Sequence, residues 1–494
     1  MKKLFLVLMS FCFCLAGCGK LNTSLDNAIK NANNYDLNFE YNHEEKQILL
    51  NETLEYKNKS GVELDALYFH LYPNAFAENV ENKPVGVLNE AKAYPNGKSY
   101  GNIEITSLGV SNENCEVEYY GADDDFLKVN LKTKLENNEN IEVKISAVIN
   151  LPNVNHRFGY GNNTINIANS YPIVAMINNG EWVLDCYHSN GDPFYSDVAN
   201  YDVQISAPSN LVLATTGEIL KTTDSNNAKL YKIEANGVRD YAFVLSEEFK
   251  VVSEEVNGVE VNYFYFDDEN FEKNLSTSVK SLKFFSEQFG EYPYKVLNVV
   301  QTNFVHGGME YPNLVYISDE VENELDYTNV IIHEIGHQWW YGVVGNDEYS
   351  EAWLDEGLTE YSVMLFYENN EDYNVNVDEL IKASTNNYAL FVELYTKVLG
   401  EVDTSMNRRL DEFDTEPEYV YNVYVKGMLF FDSIRELIGD KDFFNGLKEY
   451  YANNAFSIAT SQDLLRAFES ASGKNLEGIF DSWISGKISI LRVE

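Results

Sequence analysis

Positive charge is scarce in this chain. Its 36 lysines and arginines stand against 78 acidic residues, leaving a net charge of −42. Such a surface repels phosphate backbones instead of releasing their counterions, which argues against nucleic acid as a partner. The plain consequence is solubility, with attraction of cationic ligands such as peptide amino termini as a second effect. Cysteine is nearly absent as well. Of five, Cys12, Cys14 and Cys18 lie at the amino-terminal end, so only Cys115 and Cys186 remain in the body of the chain. No disulfide framework is possible, and one bond or two thiols fit that pair equally. Beyond Leu15 no apolar run approaches the roughly 18 residues that a membrane-spanning helix needs. There is no Gly-x-Ser-x-Gly nucleophile elbow. Gly97-Lys98-Ser99 and Gly159-Tyr160-Gly161 lack the remaining glycines of phosphate loops. What is abundant is aromatic bulk: 35 tyrosines and 28 phenylalanines in 494 residues supply core for several domains and exclude a mostly disordered chain.

Lys2 and Lys3 precede an apolar run from Leu4 to Leu15 and the small pair Ala16-Gly17, the pattern of a secretory signal over residues 1–17. Leu15-Ala16-Gly17-Cys18 resembles the bacterial lipobox. That resemblance implies a diacylglycerol thioether on Cys18, which becomes the new amino terminus, and two acyl chains suffice for stable anchoring. The expected location is the extracytoplasmic face of a bacterial cell membrane. The polar, Asn-rich stretch to Asn34 reads as a tether over 18–34. From Tyr35 the pattern has period two, with Tyr35, Leu37, Phe39 and Tyr41 alternating with polar residues. Further strands are expected at Ile48–Tyr56, Leu67–Tyr72 and Tyr201–Ile205. Helical spacing enters at Phe271–Phe289, one more strand follows at Val296–Phe304, and the remainder is mainly helical. The fold class is therefore α+β and multidomain: an all-β domain over 35–249, then a mainly helical domain with a small sheet over 250–494.

Two of only seven histidines stand in His333-Glu334-Ile335-Gly336-His337. On a helix predicted over Asn329–Val344, the i, i+4 spacing places both imidazoles on one face. Two core histidines would give the same pattern, so a third ligand decides. Glu356 follows His337 after eighteen residues, in Trp353-Leu354-Asp355-Glu356-Gly357, room for a helix end, a turn and a returning helix. Two histidines and one glutamate leave a fourth zinc position open, the arrangement of catalytic rather than structural zinc. One Zn²⁺ per chain is expected. Glu360, one turn beyond Glu356, is placed to accept the outer ring N–H of a ligand histidine.

These blocks, with Gln338-Trp339-Trp340, Gly307-Gly308-Met309-Glu310 upstream and Tyr424-Val425-Lys426-Gly427 downstream, resemble the membrane alanyl aminopeptidase family of gluzincin zinc metallopeptidases, in the form of a two-domain bacterial lipoprotein. The resemblance implies a thermolysin-like catalytic domain after the all-β domain. It also implies a substrate-binding block at Gly307, Gly308, Met309 and Glu310, with Glu310 on the free α-amine, and Tyr424 as the donor to the tetrahedral intermediate. Tyr311 and Asp355 stand where the family usually has asparagine. The large carboxy-terminal helical domain of many members is not expected before Glu494.

The chemistry implied is hydrolysis of the first peptide bond of peptides with a free amino terminus. Glu334, adjacent to the ligands but not one of them, is the expected base. A zinc endopeptidase would not need Glu310, and a lipid-anchored scaffold with a dead peptidase fold would not need the complete set of ligands, base and tyrosine. His70, alternating with Leu67, Phe69 and Leu71, reads as a core residue. His306 is left unassigned.

Overall fold

The computed structural model describes residues 24–493. The signal segment and Cys18 lie outside the described residues. Within the span expected as a tether, residues 24–31 form a short helix, in which Leu25, Ala28 and Ile29 share one side through i+3 and i+4 spacing. The chain divides into two compact units. One contains Asn31–Val279 and Lys295–Glu334, the other Lys280–Tyr294 and Ile335–Glu494 with the short leading helix.

The first unit is β-rich. Its largest sheet has eight strands, with Asn33–Asn42 in the interior. That strand pairs in parallel with Ala199–Pro208 and antiparallel with Gln47–Lys57. Every second residue of Asn33–Asn42 is buried, as the alternation requires. Two further sheets of four strands carry His70 and Phe243 into the same all-β region. His70 is buried, stacked on Tyr72 and set edge-on to Phe126, the core position expected of it. Cys115 and Cys186 are both free thiols.

A separate five-stranded sheet carries the Gly-Gly-Met-Glu block. Val259–Tyr265, Val296–Thr302 and Leu314–Ser318 run parallel, and Gly308–Met309 adds a short antiparallel edge. Val296–Thr302 is buried at every position, as expected of a parallel strand covered on both faces. The loop after it is fastened by side chains. Asn303 accepts from the backbone N–H groups of Asn163 and Thr164 at 2.7 and 3.1 Å, and Thr302 donates to Asn166 at 2.6 Å.

The second unit is mainly helical. Its principal helices are Trp353–Asn369, Val377–Leu399, Lys426–Ile438, Asp440–Asn454 and Ser461–Ser472. One two-stranded pair, Val344–Gly345 with Ser457–Ile458, is also present. A β-rich amino-terminal part followed by a helical carboxy-terminal part is the architecture expected from the patterning.

Candidate metal centre

The helix bearing His333 spans Glu324–Gly336, shorter at its end than the expected Asn329–Val344. His337 lies in the turn that follows. The turn is tightened by Gln338 N–H to Ile335 O and Trp339 N–H to Gly336 O, at 3.1 and 3.0 Å. Tyr341 leaves in a left-handed conformation, φ 124°. The tryptophans beside the motif lock this turn. Trp339 and Trp340 are almost wholly buried, and their indole N–H groups donate to Gly290 O at 2.8 Å and Ser362 Oγ at 3.1 Å.

His337 is held from behind. Its Nδ1 lies 2.9 Å from the carbonyl oxygen of Trp340, with Thr359 Oγ1 at 3.3 Å. A carbonyl can only accept, so Nδ1 carries the proton, and in the neutral ring Nε2 is the unprotonated nitrogen. That atom faces Glu356 Oε2 at 3.2 Å. Two acceptors facing each other at this distance, both buried, need a cation or a proton between them. His333 stands one turn earlier on the helix, and His333, His337 and Glu356 form one set able to hold a metal ion. The donor types and the absence of cysteine fit zinc with an open position. At His337 the orienting acceptor is the Trp340 carbonyl. Glu360 itself is half-buried on the Trp353–Asn369 helix.

Asp355 was legible only as a departure from the family pattern. It is buried, its Oδ1 accepts from Asn346 Nδ2 at 2.8 Å, and its Oδ2 lies 4.0 Å from His337 Nδ1. Burial first, then the Glu356 carboxylate beside it, push the Asp355 carboxyl above the ordinary carboxylate range, against the opposing pull of His337 and Asn346.

Tyr424 is half-buried, and its hydroxyl donates to Glu356 Oε1. The approach depends on a glycine contact that spacing does not reveal. A Cβ on Gly427 would lie 2.8 Å from the Cα of Gly357. The helices carrying Glu356 and Lys426 therefore meet backbone to backbone, three residues after Tyr424 and one after Glu356.

The upstream block is placed as its glycines suggest. Gly308–Met309 is the edge of the five-stranded sheet, Ser318 N–H donates to Gly307 O at 2.9 Å, and Glu310 is 4% exposed. A Cβ on Gly308 would meet Glu334 Oε1 at 2.3 Å, so the glycine backbone lies directly against the expected base. His306 packs edge-on against His156 and Phe304.

Residues 273–483 match the peptidase family M1 domain. That span includes the upstream block, both histidines, Glu334, Glu356, Glu360 and Tyr424. Among curated relatives, the chain is similar to aminopeptidase 2 of Candida albicans, 26% identical over 225 residues, covering 43% of this chain and 24% of that protein. It is also similar to aminopeptidase B of Mus musculus, 30% identical over 201 residues, covering 37% and 29%. The chain thus spans less than a third of the length of either relative. Among solved structures, an M1 zinc metallopeptidase from Deinococcus radiodurans shares the fold across 94% of this chain and 96% of its own, with a TM-score of 0.66 and 16% identity. A mutant form of a Deinococcus radiodurans M1 zinc metallopeptidase, crystallised with a Tyr-Ser-Ala substrate, superimposes with a TM-score of 0.64 at 15% identity, over 94% and 96% of the two chains.

Proposed function

We propose that this chain is a zinc-dependent aminopeptidase that removes the first residue from peptides with a free amino terminus. The observation that carries the reading is the His337 Nε2 facing Glu356 Oε2 at 3.2 Å, with the Tyr424 hydroxyl on the other oxygen of the same carboxylate. His333, His337 and Glu356 are the assigned ligands. Zinc held there supplies a water ionisable near neutral pH and polarises the scissile carbonyl. Glu334 takes the proton of the attacking water and passes it to the departing amine, which leaves poorly unprotonated. Tyr424, whose phenol keeps its proton at neutral pH, donates to the developing oxyanion. Glu310 pairs with the substrate ammonium and sets a one-residue register, and Gly307, Gly308 and Met309 supply the backbone along which the peptide lies. Glu360 is assigned to the outer ring nitrogen of His333. The names of the relatives and the tripeptide in the Deinococcus radiodurans crystal support peptides as the substrate class.

A panel of aminoacyl-naphthylamides and their N-acetylated counterparts, with and without a chelator, tests the reading. Hydrolysis of the free-amine substrates only, lost on chelation and restored by zinc, is expected. Equal cleavage of acetylated peptides would identify an endopeptidase, and activity indifferent to chelation would end the metal assignment.

We also propose that the protein is anchored by lipid on Cys18 at the extracytoplasmic face of a bacterial membrane, on the support of Leu15-Ala16-Gly17-Cys18 and the preceding apolar run. Among the described residues no helix is long and apolar enough to cross a membrane. Cys18→Ser should shift the protein from the detergent to the aqueous phase, and unchanged partitioning would refute the anchor.

A further inference from the structure

Catalysis by Tyr424 requires its hydroxyl to be held in place, and the residue two positions on is built to hold it. Lys426 is a lysine with 0% exposure. Its ammonium donates to the carbonyl oxygens of Thr404 at 2.6 Å and Trp483 at 3.0 Å. Trp483 lies in the last turn of the helix Glu477–Ile484, where its carbonyl also accepts from Gly486 N–H at 3.2 Å and the dipole favours a cation. Three separate pieces of chain are thus fastened at one nitrogen. Directly before Lys426 comes a single π-turn, Tyr421–Val425, which contains Tyr424. Such turns are rare and are frequently found at functional sites. The turn is pinned from inside by Asn422, fully buried, which accepts from the Tyr388 hydroxyl at 2.9 Å and donates to Glu418 O at 2.9 Å. A buried ammonium must be satisfied by fixed acceptors, and here both are main-chain carbonyls. Its position relative to the π-turn is what it fixes.

We infer that Lys426 is a positioning residue: by clamping Thr404 and the end of the Glu477–Ile484 helix to the π-turn, it holds the Tyr424 hydroxyl at Glu356. The inference rests on the proposed role of Tyr424 as oxyanion donor. The Lys426 ammonium is spent on two main-chain carbonyls, so its removal should act on the transition state through the placing of the tyrosine.

A double-mutant cycle with Lys426→Met and Tyr424→Phe tests this on the full chain, with leucyl-naphthylamide as substrate and zinc content and thermal midpoint measured for each protein. Tyr424→Phe should lower kcat by on the order of 10²- to 10³-fold. Lys426→Met should lower kcat by roughly 10-fold, with KM unchanged within about twofold and zinc retained. The double variant should be no slower than Tyr424→Phe within about twofold, because a misplaced hydroxyl and an absent one are equivalent. Full multiplication of the two losses, or a Lys426→Met protein with undiminished kcat, would overturn the clamp. Full activity of Tyr424→Phe would instead overturn the role of the tyrosine. Should Lys426→Met fail to fold, Lys426→Gln, which keeps a neutral donor, enters the same cycle with the same criteria.

Discussion

Replacing Gly308 by alanine tests the proposed catalytic role of Glu334 apart from its structural surroundings. The new Cβ would stand 2.3 Å from Glu334 Oε1, 2.5 Å from Cδ and 2.6 Å from Cγ. Carbon contacts are comfortable only at about 3.5 to 4.0 Å, so the carboxylate must retreat by roughly 1 Å. The obstacle is the far end of a side chain with three rotatable bonds, not backbone. The fold can therefore relax at a cost near the low end of the 1 to 3 kcal/mol typical of overpacking, or about 1 kcal/mol. Turnover has no such latitude. A misplacement of about 1 Å in a catalytic group costs about 10²-fold. The expected signature is a thermal midpoint lowered by a few degrees, stoichiometric zinc, and kcat/KM reduced about 10²-fold on leucyl-naphthylamide. A folded, zinc-loaded Gly308→Ala protein with wild-type kcat/KM would show that the carboxylate beside the glycine edge is not the base.

Three further outcomes follow from the same geometry. A blocked amine strands the buried Glu310 carboxylate, so N-acetylation of a good substrate should lower kcat/KM by about 10²-fold or more; parity would remove Glu310 from substrate binding. Gly427→Ala must open the contact with Gly357, where the added Cβ would lie at 2.8 Å from its Cα, and should lower both the thermal midpoint and kcat; a variant that loses neither would show that the close helix approach does not place Tyr424. Burial holds His70 neutral, its pKa drawn down to about 4 from the usual 6.5. Its contribution is complete above pH 6.5 and is lost as pH falls toward 4, up to about 3 kcal/mol for a shift of this size. His70→Phe should flatten that part of the stability profile in urea titrations between about pH 7 and 4, and an unchanged acid slope would assign it to other groups.

How much of this was legible before the structure depends on how local the cause is. The strand Asn33–Asn42 is buried at every second residue, and Tyr35, Leu37, Phe39 and Tyr41 announce that face by alternation alone. The helix Phe271–Gln288 also lies where helical spacing put it. The His333 helix was overextended because Trp339, Trp340, Val343 and Val344 continue its apolar character. Their burial instead serves a turn and a short strand pair, and an apolar run alone does not distinguish these uses. The candidate metal residues stand together in the structure as helix periodicity and ligand chemistry led one to expect. Their supports were not to be expected in this way. The Trp340 carbonyl behind His337 is main chain, the contact between Gly357 and Gly427 joins segments far apart in sequence, and Lys426 answers to carbonyls of Thr404 and Trp483. No pattern within one segment encodes such partners.

The central claim is that His333, His337 and Glu356 hold zinc while Glu334 moves the proton, and Glu334→Gln addresses it with one preparation. Glutamine keeps the size and leaves the three ligands untouched but cannot accept a proton from water. Zinc measured by atomic absorption on the purified variant should remain at one per chain, while kcat on leucyl-naphthylamide falls by roughly 10²- to 10⁴-fold. A variant that lost its zinc and recovered turnover when zinc was restored, or one that kept both zinc and wild-type kcat, would contradict the division of roles between Glu334 and its neighbours.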